Sequence, residues 1–238
     1  MKVDPIVDAE GTFARVGEAF PAVPSSDEWW LPFTAVLIRA AGANILVDTG
    51  IGPKPRAFVP EPEGRLLDEL SRLGVRPDDV DVVVHTHLHV DHVGWDGFFP
   101  NARYVVHEDD WEFFMSDESL AERPHLREKV QPLANVELLR GEVEIAPGVE
   151  VFPTPGHTPG HMSVRAGSLV VLGDVVVHQL QVVDPDVVYV SDHDSAAAAS
   201  MRREVLDRLA DDGTHVIASH FYGMGRFQRV GEGFRWVT

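Results

Sequence analysis

Val80-Asp-Val-Val-Val-His85-Thr-His87-Leu-His89-Val-Asp91-His92-Val-Gly94 is the stretch on which the reading of this chain turns. Val80–Val84 is a short apolar run of β-branched residues, the pattern of a strand buried on both faces. It breaks into three imidazoles and one carboxylate within six residues, His87, His89, Asp91 and His92, and Gly94 closes the turn. Such a turn can converge its side chains on one point, and imidazole with carboxylate is the donor set of a hydrolytic zinc site. A surface metal scavenger could have the same composition, but it has no reason to follow a buried strand, where functional residues collect.

Three more candidate ligands follow apolar, strand-like runs. His157 lies in Pro153-Thr-Pro-Gly-His157-Thr-Pro-Gly-His161, directly after Val149–Phe152. Asp174 ends Val171-Leu-Gly-Asp174, and His220 ends Val216-Ile-Ala-Ser-His220. Singly these would read as a rigid loop, a turn residue and a structural histidine. Repeated at four strand ends, they read as one site.

The rest of the chain mixes strands with helices. Phe33–Ala40 and Asn44–Asp48 read as a hairpin, and Arg103–Val106 as a further strand. Met162–Arg165, Leu169–Leu172 and Val216–Ala218 read as strands, and Phe227–Val237 as a terminal hairpin. Leu66, Leu67, Leu70 and Leu73 recur at helical spacing before Gly74, and a helix is expected from Asp109. Ser195–Asp212 is the clearest helix, with Met201, Val205, Leu206 and Leu209 on one stripe and Gly213 as its stop. Residues 53–62, with four prolines, read as a loop. No repeat or linker interrupts the 238 residues, so one domain spanning 1–238 is expected, with 1–33 as an N-terminal segment forming a lid or a dimer contact.

Composition narrows the partners. Twenty basic against thirty-eight acidic residues give a net charge of −18, a field that repels phosphate backbones, so no nucleic-acid partner is expected. The absence of cysteine leaves His and carboxylates as the strong ligands. No run approaches the ~18 apolar residues of a membrane span, and no membrane partner is expected. The opening residues lack a basic stretch followed by an apolar one, which makes the cytoplasm the expected location.

The pattern His-x-His-x-Asp-His, a His in a Pro-Gly turn, a Gly-Asp and a late His resembles the metallo-β-lactamase superfamily from about Ala35 to the C-terminus. The resemblance implies an α/β fold, a four-layered αββα sandwich with the metals at one edge of its two sheets. It implies two divalent metal ions per chain, zinc first, with manganese, cobalt or iron(II) as alternatives. His87, His89 and His157 would hold one ion; Asp91, His92 and His220 the other; Asp174 would bridge them. Asp48 and His161 would stand behind these ligands. A hydroxide between the two ions would be the nucleophile.

Within the superfamily, Gly173-Asp174-Val-Val-Val-His178 and the stretch onward to Asp194 look similar to the branch of methyl parathion hydrolase and related lactone hydrolases. Acyl-homoserine lactonases are next. They carry a Tyr three residues after the bridging Asp to polarise the substrate carbonyl. Val177 occupies that place here, so His178 becomes the candidate catalytic electrophile beside Asp91 and Asp174, with Tyr222 as its substitute. The expected function is hydrolysis of a small-molecule lactone or ester, accompanied by promiscuous phosphotriesterase activity. The alternatives are an organophosphate hydrolase of the methyl parathion type and, from a different class, a metal-dependent oxidoreductase or dioxygenase of the same fold. Trp29, Trp30, Trp111, Phe113 and Phe114 are candidates for an apolar substrate pocket. Relatives of this kind imply a homodimer.

Overall fold

The computed structural model describes residues 1–53, 64–231 and 233–238. The proline-rich loop expected at 53–62 therefore lies, from residue 54 on, outside the described residues. Two sheets form the centre of the molecule. The first runs β1 (Lys2–Arg15), β2 (Glu28–Ala40), β3 (Ala43–Val47), β4 (Val82–Val84), β5 (Arg103–His107) and β6 (Val136–Leu139), paired in that order. The second pairs β7 (Val143–Ala146), β8 (Val149–Pro153), β9 (Met162–Ala166), β10 (Leu169–Val171) and β11 (His215–Ile217) as neighbours in sequence. A separate hairpin, β12 (Arg226–Val230) with β13 (Gly233–Val237), closes the described chain.

Alternation along the strands explains the layers. Val36, Ile38, Val47, Val84 and Val105 of the first sheet pack against Val151, Met162, Val164, Val171 and Ile217 of the second. The opposite face of the first sheet, with Leu37, Leu46 and Val83, is covered by Leu66 and Leu70 of α2 (Leu66–Arg72). Val170 and Val216 on the outer face of the second meet Val205, Leu206 and Leu209 of α6 (Ser195–Asp212). The central strands thus bury both faces, and the order helix, sheet, sheet, helix follows. The α6 stripe lies where the sequence puts it. Asp194 caps the helix through Ala196 N and Ala197 N, and Gly213 ends it at φ +63°. Among the described residues no helix is long and apolar enough to cross a membrane.

Residues 2–15 of the N-terminal segment form an edge strand, antiparallel to β2 from Lys2↔Arg39 to Arg15↔Glu28. Its register slips between Val7 and Ala9, and the extra residue at that bulge is Asp8, which is fully buried. A bulge re-aims a side chain that strict alternation would send elsewhere. Composition conceals this strand because Pro5, Gly11 and three acids interrupt its apolar pattern. The adjacent tryptophans simply alternate: Trp29 is buried and Trp30 is 60% exposed.

Candidate metal centre

The functional loops leave one edge of the two sheets. His87–His92 follows β4, His157 follows β8, Asp174 follows β10 and His220 follows β11, each at a strand's C-terminal end. Two close approaches hold the loops together. A Cβ on Gly94 would lie 2.1 Å from the carbonyl carbon of Ile51, so only glycine lets the histidine turn pack against the loop after β3. Met162 N donates to Thr86 O (2.8 Å), tying the first sheet's turn to the second sheet.

Side chains from both sheets meet there. His87 Nε2 and His157 Nε2 each approach His89 Nδ1 to 3.0 Å. Asp91 Oδ2 lies 3.7 Å from His92 Nε2 and 3.5 Å from His220 Nε2. Asp174 stands between these groups. Its Oδ2 is 3.5 Å from His157 Nε2 and 3.3 Å from His220 Nε2, and its Oδ1 is 3.5 Å from His92 Nε2. All seven residues expected as ligands are therefore brought together, in three overlapping groups of donors.

The hydrogen bonds behind them show what the cluster is built to receive. Asp48 accepts from Thr86 N and Thr86 Oγ1 (both 2.7 Å), so Thr86 Oγ1 is left to accept from His87 Nδ1 (3.1 Å). Asp48 also takes His92 Nδ1 at 2.8 Å. His157 Nδ1 faces Asp192 Oδ1 (2.9 Å), and His220 Nδ1 donates to Pro32 O (3.0 Å). With the Nδ1 protons committed outward, four Nε2 lone pairs point at one volume. Ring nitrogens 3.0 Å apart need a proton or a metal cation between them, and one proton on His89 Nδ1 cannot serve His87 and His157 equally. His92 Nε2 and Asp174 Oδ1 are buried and make no hydrogen bond of their own, which fits the same requirement. Burial and neighbouring imidazoles hold His87 and His89 well below the usual histidine range, in the neutral state a metal requires. For His92 burial acts the same way, but Asp174, Asp48 and Asp91 outweigh it and raise the imidazole. The donor set fits divalent zinc-like ions. Asp48 keeps its orientation at φ +58°, a backbone state that aspartate tolerates better than most residues.

His161 stands behind the cluster. Its Nε2 accepts from Asp174 N (3.0 Å), so Nδ1 carries the proton and donates to Thr154 Oγ1 (2.8 Å). Both nitrogens are used, and burial pushes the ring down to about 3. His161 thus fixes the backbone that carries Asp174.

Asp110, in α3 (Glu108–Phe114), anchors the loop holding His157 and His161 by accepting from Gly160 N (2.6 Å) and Thr158 Oγ1 (2.9 Å). Burial pushes its carboxyl up to about 7. Between its unfolded value of ~3.9 and ~7 the folded state holds a proton that the unfolded state has lost, so this group's contribution falls as pH rises through that window. Asp110→Asn stays neutral throughout and should flatten that part of the profile. Urea denaturation at about pH 5 and pH 8 measures it, and an unchanged difference between the two would reject the assignment.

Two other expected site residues stand outside the three donor groups. His178 caps α5 (Gln179–Val183) by accepting from Leu180 N (3.1 Å), and its ring packs on Phe20 and Trp29 with centroids at 5.2 and 5.4 Å. It belongs to none of the three donor groups. It lines a second cavity of about 500 Å³ with Trp29, Trp30 and Tyr222, and His220 borders both this cavity and the one over the cluster. Tyr222 is half exposed and donates to Glu10 Oε1 (2.8 Å). The expected aromatic pocket is also differently made. Phe114 is core, set edge-on to His89 at 5.5 Å. The cavity over the cluster, about 190 Å³, is walled instead by Phe13, Leu31, Val90 and Tyr189.

Tyr189 is the residue that sequence reasoning missed. It is buried and stacks on His157 with rings 9° from parallel and centroids 5.9 Å apart. Burial raises its hydroxyl above the ordinary tyrosine value, which keeps it a hydrogen-bond donor. Asp192 lies in the stretch that carries the branch resemblance but receives no role there, because an isolated polar residue in a loop carries no periodic signal.

A family model of the metallo-beta-lactamase superfamily matches residues 29–220. The chain is 32% identical over 149 residues to the N-acyl homoserine lactonase AiiA of Bacillus thuringiensis subsp. kurstaki, covering 56% of this chain and 58% of that protein. It is 38% identical over 146 residues to metallo-beta-lactamase domain-containing protein 1 of Mus musculus, covering 58% of this chain and 47% of that protein. The matches thus span about half the length of these curated relatives. Among solved structures, AidC, described as a dizinc quorum-quenching lactonase in complex with a product, superposes with a TM-score of 0.84 at 21% identity, covering 99% of this chain and 93% of the other. A probable metal-dependent hydrolase from Staphylococcus aureus reaches 0.86 at 22% identity, covering 99% and 96%. These likenesses show the shared αββα fold.

Proposed function

We propose that this chain, which belongs to the metallo-beta-lactamase superfamily, hydrolyses small lactones or esters with the aid of two divalent ions. The carrying observation is Asp174, whose carboxylate lies within 3.5 Å of imidazoles on both sides, His157 and His92. His87, His89 and His157 would hold one ion, Asp91, His92 and His220 the second, and Asp174 would join them. Bound there, such ions would supply Lewis acidity and a water made nucleophilic near neutral pH. The curated lactonase relative favours a lactone over other esters.

The chain's own residues do the rest. Tyr189, at the wall of the cavity, takes the place in this reading that His178 holds in the sequence: its hydroxyl donates to the substrate carbonyl oxygen and orients it. Asp91, which also lines the cavity, takes the proton given up by the attacking water and passes it to the departing alkoxide. Phe13, Leu31 and Val90 exclude water around the acyl portion. A single-metal oxidoreductase would leave Asp91, His92 and His220 converging for no purpose.

Elemental analysis of gently purified protein is expected to approach about two equivalents of metal, since seven donor groups exceed one tetrahedral shell. Activity should be lost to chelator and restored by zinc, manganese or cobalt. A value fixed at one with redox-active iron would favour the oxidoreductase. Following the curated lactonase relative, kcat/KM for a medium-chain lactone should exceed that for a methyl phosphotriester by at least ~10-fold, about 1.4 kcal/mol. Equal values would move the chain to the organophosphate hydrolases. Tyr189→Phe should lower kcat on the lactone by roughly 10²-fold with little change in KM, and full activity of that variant would remove Tyr189 from the mechanism.

A further inference from the structure

Arg202 is a guanidinium with 1% exposure in the middle of α6. The apolar stripe of that helix predicts nothing for it. Its Nε donates to Val175 O (2.9 Å), and its Nη1 donates to Pro185 O (2.6 Å) and Val187 O (3.2 Å). Its Nη2 reaches Asp192 Oδ2 (3.3 Å), and the other oxygen of Asp192 lies on His157 Nδ1 (2.9 Å). Asp192 is equally buried. Exchanging a buried ion pair for apolar residues is often neutral or stabilising, so stability alone does not account for this one.

We propose that Arg202 is a positioning residue for the candidate metal centre, acting through Asp192 on the ring orientation and tautomer of His157. The proposal rests on the reading of His157 as a ligand. Arg202 offers only donors, so both oxygens of Asp192 must accept, one from the guanidinium and one from the imidazole. The proton of His157 is therefore on Nδ1, and the Nε2 lone pair faces the cluster, 3.0 Å from His89 Nδ1 and 3.5 Å from Asp174 Oδ2. The same guanidinium holds the carbonyl of Val175, the residue after Asp174. One side chain on a rigid helix thus sets the spacing between a terminal ligand and the bridging carboxylate.

Asparagine at 192 makes the logic testable. Facing Arg202 with its amide oxygen, it would turn its NH₂ toward His157 Nδ1 and force the proton onto Nε2, which could then not ligate. Facing the other way, it sets NH₂ against guanidinium. Asp192→Asn is expected to weaken zinc binding about 10–100-fold, measured by competition with a chelator. Arg202→Lys keeps the charge but loses the fork. It should weaken zinc about 10-fold when Asp192 is present and less than about 3-fold in the Asp192→Asn background. Equal losses in both backgrounds would show that Arg202 acts elsewhere and would overturn the proposal. Unchanged zinc affinity in a folded Asp192→Asn protein would do the same, and that variant decides the matter alone if Arg202→Lys does not fold. Nitrogen-15 NMR of the metal-free full chain is the independent arm. His157 should carry its proton on Nδ1, and a proton on Nε2 in the unsubstituted chain overturns the proposal even if no zinc binds. A chain that binds no zinc but shows the Nδ1 proton would instead sink the functional reading alone.

Discussion

Asp174→Ala is expected to lower kcat/KM on a lactone by at least ~10³-fold, about 4 kcal/mol, whereas His161→Ala should cost only about 10–100-fold. Asp174 faces four imidazoles, those of His87, His92, His157 and His220, at 3.9 Å or less. Burial works against its charge, yet His220 and His92 hold its carboxyl well below the usual carboxylate range. Removing it deletes the one anion that, among the described residues, both sides of the cluster share, so the expected loss includes metal as well as turnover. His161 touches the backbone N–H of Asp174, and its loss shifts the carboxylate without deleting it. Steady-state kinetics paired with metal analysis separates the two effects. Asp174→Ala activity within about 10-fold of the unsubstituted chain would end the bridging assignment.

Asp8→Ala should be the most damaging single truncation for stability. Asp8 Oδ2 accepts from Ile51 N (2.9 Å) and Gly52 N (3.1 Å), and Oδ1 from Leu66 N (2.8 Å) and Trp95 Nε1 (2.9 Å). One carboxylate thereby joins the edge strand to the loop after β3, the first turn of α2 and the segment that follows the histidine turn. Burial pushes its carboxyl up, and the four donors pull the other way. Alanine would leave those donors buried without an acceptor, at roughly 1–3 kcal/mol each and not additively. A loss of about 4 kcal/mol or more is expected from urea denaturation at constant m-value. A change under about 1 kcal/mol would mean that water replaces the carboxylate. The loop after β3 packs against Gly94, so the variant that still folds should also bind metal less tightly.

Both variants probe residues that were unequally visible beforehand. Asp174 alone would read as a turn residue, but it ends an apolar run, as the histidine turn, His157 and His220 do, and that repetition marks it. Asp8 stands in a stretch that alternates poorly, and its burial comes from a slip in the pairing of β1 with β2. Nothing local encodes that slip. His178 shows the converse. Its proximity in sequence to Asp174 makes it a candidate, but that it caps α5 and packs its ring on Phe20 and Trp29 is legible only in the structure.

The sequence by itself determined the strands that feed the site, the helix Ser195–Asp212 and the seven donors, because period, turn chemistry and the grouping of imidazole with carboxylate are local properties of the chain. Tertiary structure alone decided which partners stand behind those donors. Tyr189 and Asp192 lie far from His157 in sequence and meet it, with Arg202 reaching Asp192 from behind, only because α6 and the loop before it fold back over the second sheet. Contacts of that kind depend on how layers stack, and a buried polar residue is recognisable only once its partners are in place.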